Sequence, residues 1–129
     1  MEILSIKGTQ ETPEILFDKA AGIFSISGKS LPEDVKEFYN PVLSWIEEYA
    51  TSPNPETRLK VKMDYFNTAS SKMILELFEL FKGIIDGGHK VIIDWYYQED
   101  DEDMQDAGVD YADILEIPFE FISYQPLND

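Results

Sequence analysis

Between Arg58 and Tyr97 the hydropathy of the chain changes period twice, and no other feature constrains the fold as strongly. Leu59, Val61, Met63 and Tyr65 alternate with Lys60, Lys62, Asp64 and Phe66, the two-residue period of a strand with one buried face. From Met73 to Ile85 apolar residues then cover most of a helical wheel, leaving a polar stripe of Lys72, Glu76, Glu79 and Asp86, so this helix is largely buried. Gly87-Gly88 stops it. The run Lys90 to Tyr97 opens on continuous apolar residues, as expected of a strand deep in a sheet. If the two strands are parallel, the helix between them makes a right-handed crossover.

The flanking segments extend the pattern. Glu2 to Ile6, Glu14 to Asp18 and Gly22 to Ser27 are short β-branched and aromatic runs between turn residues. The second and third form a hairpin that begins after Pro13. Val35, Phe38, Tyr39, Val42, Ile46, Tyr49 and Ala50 recur at helical steps, predicting an amphipathic helix that ends near Thr51. Ser30 and Glu33 have capping-box spacing at its start. Pro41 removes one backbone bond but leaves the stripe in register, which predicts a kinked rather than a broken helix. Ser52-Pro53-Asn54-Pro55 is a loop. After the acidic run Glu99 to Asp103, read as a solvated loop, come a helix through Leu115 and a last strand, Pro118 to Ser123. Strands first, then β-α-β with a final α-β, predict one α/β domain over residues 1–129, a mixed sheet with helices packed on it.

Charge and composition exclude several functions. A net charge of −16 repels a polyphosphate backbone or an anionic bilayer, so neither nucleic-acid nor membrane binding is expected. Without cysteine there is no disulfide framework, thiolate metal site or thiol nucleophile. The first residues lack a basic start and a long apolar run, and no segment approaches the ~20 apolar residues of a membrane span, so a cytoplasmic protein is expected.

Candidate chemistry narrows quickly. A calcium loop starting at Asp101 places Asp106 where the turn glycine belongs and Ala112 where the bidentate acid belongs. One starting at Asp103 ends on Ile114, so no metal site is assigned. Gly83 to Lys90 fails as a phosphate loop, because His89 stands where the lysine is needed and the segment precedes a strand rather than a helix. His89, the sole histidine, is expected at the surface of its turn, and the usual nucleophilic triads are excluded. Neither a catalytic residue nor a cofactor is assigned. A rival reading remains: a small cation- or ligand-binding domain using the acidic segment 94–113, with Asp94 and Glu99 as ligands.

The informative stretch is Tyr65-Phe66-Asn67-Thr68-Ala69-Ser70-Ser71-Lys72, where an apolar strand meets hydroxyl residues at the mouth of a helix. Asn67 or Thr68 can cap the helix, a contribution of about 1 kcal/mol that needs no function. At roughly 100° per residue, Thr68 shares a side with Lys72, Leu75 and Glu79, while Ser70 turns inward with Ile74 and Leu77. Thr68 is therefore expected to be exposed and open to a kinase, beside an exposed Leu75. A phosphate there adds about −1.5 to −2 charges, which the helix N-terminus tolerates and a docked acidic or apolar partner does not.

Four stretches together carry a resemblance: Ile6-Lys7-Gly8-Thr9-Gln10-Glu11-Thr12-Pro13-Glu14, the Asn67 to Lys72 block, Gly87-Gly88 before the Trp95 strand, and Ile117-Pro118-Phe119. With them the chain resembles the SiaC family of bacterial regulatory phosphoproteins over nearly its whole length. The resemblance implies a STAS-like fold, similar to anti-sigma factor antagonists, with a reversibly phosphorylated threonine at the helix entrance. By position that is Thr68, with Asn67, Ser70 and Ser71 as its support. It further implies a dedicated protein kinase, a PP2C-type phosphatase, and an effector bound by the unmodified form. In the family's best-known member that effector is a diguanylate cyclase controlling biofilm formation. Here the effector would dock on Thr68, Lys72, Leu75 and Glu79.

Overall fold

The structure, a computed structural model, describes residues 1–126. Its elements are β1 (Leu4–Ile6), β2 (Glu14–Asp18), β3 (Ile23–Ser30), α1 (Val35–Ala50), β4 (Glu56–Phe66), α2 (Thr68–Asp86), β5 (Lys90–Gln98), α3 (Glu102–Leu115) and β6 (Phe119–Tyr124). They form one six-stranded sheet in the order β1-β2-β3-β4-β5-β6. β1, β2 and β3 pair antiparallel, as the hairpin reading expected, while β3-β4, β4-β5 and β5-β6 are parallel. The α/β class and mixed sheet agree with the sequence.

Burial decides which face of the sheet does what. Along β4, Thr57, Leu59, Val61 and Met63 are buried, whereas Arg58, Lys60, Lys62 and Asp64 are exposed. The buried set meets Tyr39, Val42, Trp45, Ile46 and Tyr49 of α1, and Ile74, Leu77, Phe78 and Phe81 of α2, in one core. Each such aliphatic or aromatic side chain contributes roughly 1.5–3 kcal/mol by leaving water. Trp95 of β5 is fully buried among Phe66, Phe78, Tyr111 and Phe119. Its indole N–H donates to the Met104 carbonyl at 2.9 Å. α3 comes close enough for this only because residue 108 is glycine: a Cβ there would stand 2.6 Å from the indole ring.

Two local expectations are corrected. Ser30 and Glu33 do not form a capping box. Ser30 is the last residue of β3, fully buried, and its hydroxyl is engaged by Tyr39 and Ser70. Asp34 caps α1 instead, accepting from the Glu37 amide at 3.0 Å. The acidic run is likewise no free loop. Asp101 caps α3 through the Met104 amide, and Glu102 and Asp103 occupy its first turn, where the helix dipole favours negative charge. α1 continues through Pro41. Among the described residues no helix is long and apolar enough to cross a membrane.

Candidate functional site

The end of β4 determines how α2 begins. Gly28 of β3 pairs with Met63 and Lys29 with Tyr65, so Asp64 is an extra residue without a partner, a β-bulge. Gly28 sits at φ +105°, a conformation that side chains rarely adopt. The inserted residue reverses the alternation: Tyr65 is exposed, and Phe66 turns onto Trp95 and Tyr111. The Asn67 amide then donates to the Ser30 carbonyl at 3.1 Å, and the chain turns into α2 directly above the parallel strands.

The hydroxyl block is sorted by this geometry. Asn67, not Thr68, is the cap: its Oδ1 accepts from the Ser70 amide at 2.8 Å. Ser70 is fully buried, and Ser30 donates to its hydroxyl oxygen at 2.8 Å. Tyr39 meets the Ser30 hydroxyl at 2.6 Å, completing a buried Tyr39-Ser30-Ser70 chain that ties α1, β3 and α2 together. Burial pushes the pKa of the Tyr39 phenol up, disfavouring its ionisation, with the two serine hydroxyls opposing. Ser71 is half-buried, and its carbonyl accepts from the Tyr111 hydroxyl at 2.8 Å. Thr68 is exposed, as the helical wheel predicted. Of the three hydroxyls, it alone combines exposure with a position in the first turn of a helix that has no acid there.

Lys72 and Glu79 are exposed on the same side, while Leu75 is half-buried and packs against the core rather than standing free, a correction to the expected exposed leucine. The structure adds what a single helical wheel cannot show. Glu79 lines a groove of about 340 Å³ with Glu76 and Leu80 of α2 and Leu43 and Glu47 of α1. The face that begins at Thr68 therefore extends onto α1, which packs directly on α2. Only the i, i+3 and i, i+4 neighbours on one helix were visible in the sequence; α1 enters through tertiary packing.

The acidic segment 94–113 does not assemble into the rival cation site. Asp94 is 3% exposed and lies on the outer face of the sheet under Arg58, whose guanidinium donates to it at 2.6 Å and to Glu120 at 3.1 Å. The ionisation of Arg58 is raised, first by its hydrogen bond to Glu120 and next by the charge of Asp94. With Asp94 so paired and Glu99 at the turn before α3, the two carboxylates have different surroundings. Among the described residues no group of three or more His, Asp or Glu is placed to hold a metal ion.

Comparison with known proteins agrees with this architecture. A family model described as SiaC family regulatory phosphoprotein matches residues 6–124. A protein of Pseudomonas aeruginosa described only as uncharacterized is 30% identical over 119 residues, spanning 92% of this chain and 94% of that protein. The structure of SiaC of Pseudomonas aeruginosa superposes with a TM-score of 0.86 at 28% identity, covering 96% of this chain and all of that one. So does a chain in the crystal structure of diguanylate cyclase SiaD in complex with its activator SiaC from the same organism. There the TM-score is 0.86 at 29% identity, over 94% of this chain and 99% of the other.

Proposed function

We propose a partner-switching function for this chain, which belongs to the SiaC family of regulatory phosphoproteins. In this reading the unmodified protein docks an effector on the face formed by Thr68, Lys72, Leu75 and Glu79, and phosphorylation of Thr68 blocks docking. The effector is a diguanylate cyclase by likeness to SiaC, the activator of SiaD in the solved complex. A protein kinase and a PP2C-type phosphatase set the phosphorylation state, and the chain acts in the cytoplasm as a regulator rather than as an enzyme.

One observation carries the reading: Thr68 is exposed at the start of α2, whereas Ser70 beside it is sealed in the core. A modifying enzyme reaches the first hydroxyl without unfolding the second. The phosphate adds about −1.5 to −2 charges at the start of a helix face that, about two to three turns further along, already carries Glu76 and Glu79 beside Glu47 of α1. An effector built to meet that face is then repelled or left with charge it cannot pair. Moving occupancy from 99:1 to 1:99 takes about 5.5 kcal/mol of differential binding, and a softer response takes less.

Calorimetry with the cyclase tests this. Thr68→Ala is expected to bind as the unmodified protein does, and Thr68→Asp at least about tenfold more weakly, a difference of 1.4 kcal/mol. Both variants should keep the native circular dichroism spectrum. Equal cyclase affinity of the phosphorylated and unphosphorylated proteins would sink the proposal.

A further inference from the structure

The helical layer and the bare face of the sheet differ in charge. α3 alone carries five acids, Glu102, Asp103, Asp106, Asp110 and Asp113, and no base. On the opposite side of the sheet, Arg58, Lys60 and Lys62 stand at alternate positions of β4, with Lys29 on the neighbouring β3. Arg58 is spoken for by Asp94 and Glu120. Lys29, Lys60 and Lys62 have no carboxylate within ion-pair distance among the described residues, in a chain with 26 acids to choose from.

Lys29 and Lys62 border a depression, and Lys60 stands outside it, one side-chain repeat back along β4. A groove of about 950 Å³ runs across the ends of β3, β4, β5 and β6, lined by Ser27, Lys29, Lys62, Gln98, Tyr124 and Gln125 among others. The Lys62 ammonium stands 4.5 Å from the centre of the Tyr124 ring, a cation–π contact that holds the charge at the groove. Gln98, Gln125 and Ser27 offer neutral donors and acceptors of the kind a peptide backbone uses. Lys60 and Lys62 are roughly 6.8 Å apart along the strand, the spacing of side chains at i and i+2 in an extended peptide.

We propose that this outer face of the sheet is a second docking surface, which takes an extended acidic peptide segment of a partner protein with carboxylates at alternate positions. Charge complementarity selects that occupant. Unpaired lysines attract carboxylates spread along an extended chain, while Asp64 in the same groove and the net charge of −16 oppose any anion in proportion to its charge density, a polyphosphate most of all. The surface lies across the sheet from the helices and is defined by lysines rather than by the Thr68 hydroxyl, so the proposal fails or stands separately from the proposed switch.

The test titrates the full-length protein with a fluorescein-labelled peptide of alternating Glu and Thr, about eight residues long to match a typical strand. Anisotropy at low ionic strength is read beside amide shifts. Saturable binding with shifts confined to β3, β4, β5 and β6 is expected. Lys60→Glu with Lys62→Glu should weaken it at least about tenfold, Lys60→Gln with Lys62→Gln by a smaller factor, and Thr68→Asp least of all, through long-range repulsion that added salt removes. Absence of saturation overturns the proposal, as does undiminished affinity in the folded double-Gln variant. Inorganic triphosphate displacing the peptide at lower concentration, with the same amides shifted, overturns it in favour of a small-anion site.

Discussion

β4 and β5 each deliver the chain into a helix, and the two entrances are built alike. Asn67 accepts from the Ser70 amide at 2.8 Å and Asp101 from the Met104 amide at 3.0 Å, each cap meeting the third residue of its helix. They differ in charge. α3 opens with Asp101, Glu102 and Asp103, so its dipole is answered permanently by carboxylates, whereas α2 has no acid in its first turn and presents the Thr68 hydroxyl. One entrance is electrostatically finished; the other leaves room for the negative charge that the proposed phosphorylation would add. They are also anchored differently: α3 sits on Trp95 through a missing side chain at Gly108, α2 through a buried chain of hydroxyls.

The most damaging way to disturb that contrast is Gly108→Ala. The added methyl meets the Trp95 indole at 2.6 Å, and both belong to packed elements, so α3 must lift away. A loss of about 2–3 kcal/mol in urea unfolding is expected, exceeding any gain in helix propensity. A smaller effect comes from Tyr111→Phe, which deletes the tie between α3 and the Ser71 carbonyl of α2. About 1 kcal/mol is lost at neutral pH. Burial pushes the Tyr111 phenol up to about 12. A phenol that ionises later in the folded protein than in the unfolded chain keeps its contribution below the unfolded value of 10.0 and loses it as pH rises toward 12. Tyr111→Phe should therefore flatten the alkaline limb of the stability profile.

The two caps sharpen the comparison. Asn67→Ala and Asp101→Ala should each cost about 1 kcal/mol, measured by thermal unfolding. Only Asn67→Ala is expected to change the rate at which Thr68 is phosphorylated. An equal effect of Asp101→Ala on that rate would erase the distinction between the entrances. Smallest, and opposite in sign, is Thr68→Asp: a carboxylate in an acid-free first turn should stabilise the fold by about 0.5 kcal/mol. Gln105→Glu, one turn into the already acidic α3, should gain nothing by the same measurement.

What the sequence made legible follows the range of the interaction. The helix wheel separated Thr68 from Ser70 correctly, because both positions depend on the geometry of one helix. The strand alternation of β4 was equally clear up to Met63. Beyond it, the bulge at Asp64 depends on pairing with β3, and strand pairing leaves no local mark. Ser30 illustrates a competing signal: its spacing to Glu33 mimics a capping box, yet the strand continues through it and Asp34, three residues before Glu37, does the capping. Five consecutive acids read as a solvated run because charge dominates composition, although three of them begin a helix. Asp94 suggested a ligand until the register brought Arg58 across the strand boundary. The groove shared by α1 and α2 was invisible for the same reason, since it arises from the packing of two elements.

The spatial order of the strands repeats their order of synthesis, β1 through β6 without exception. No strand has to be wedged between two that are already paired; each joins the growing edge of what came before. A nascent chain leaving the ribosome can therefore assemble by accretion, its loop closures kept short, and the antiparallel hairpin can offer a template while β4 is still being made. The bulge and the α2 entrance are completed against β3, an edge already in place when residues 64–68 emerge.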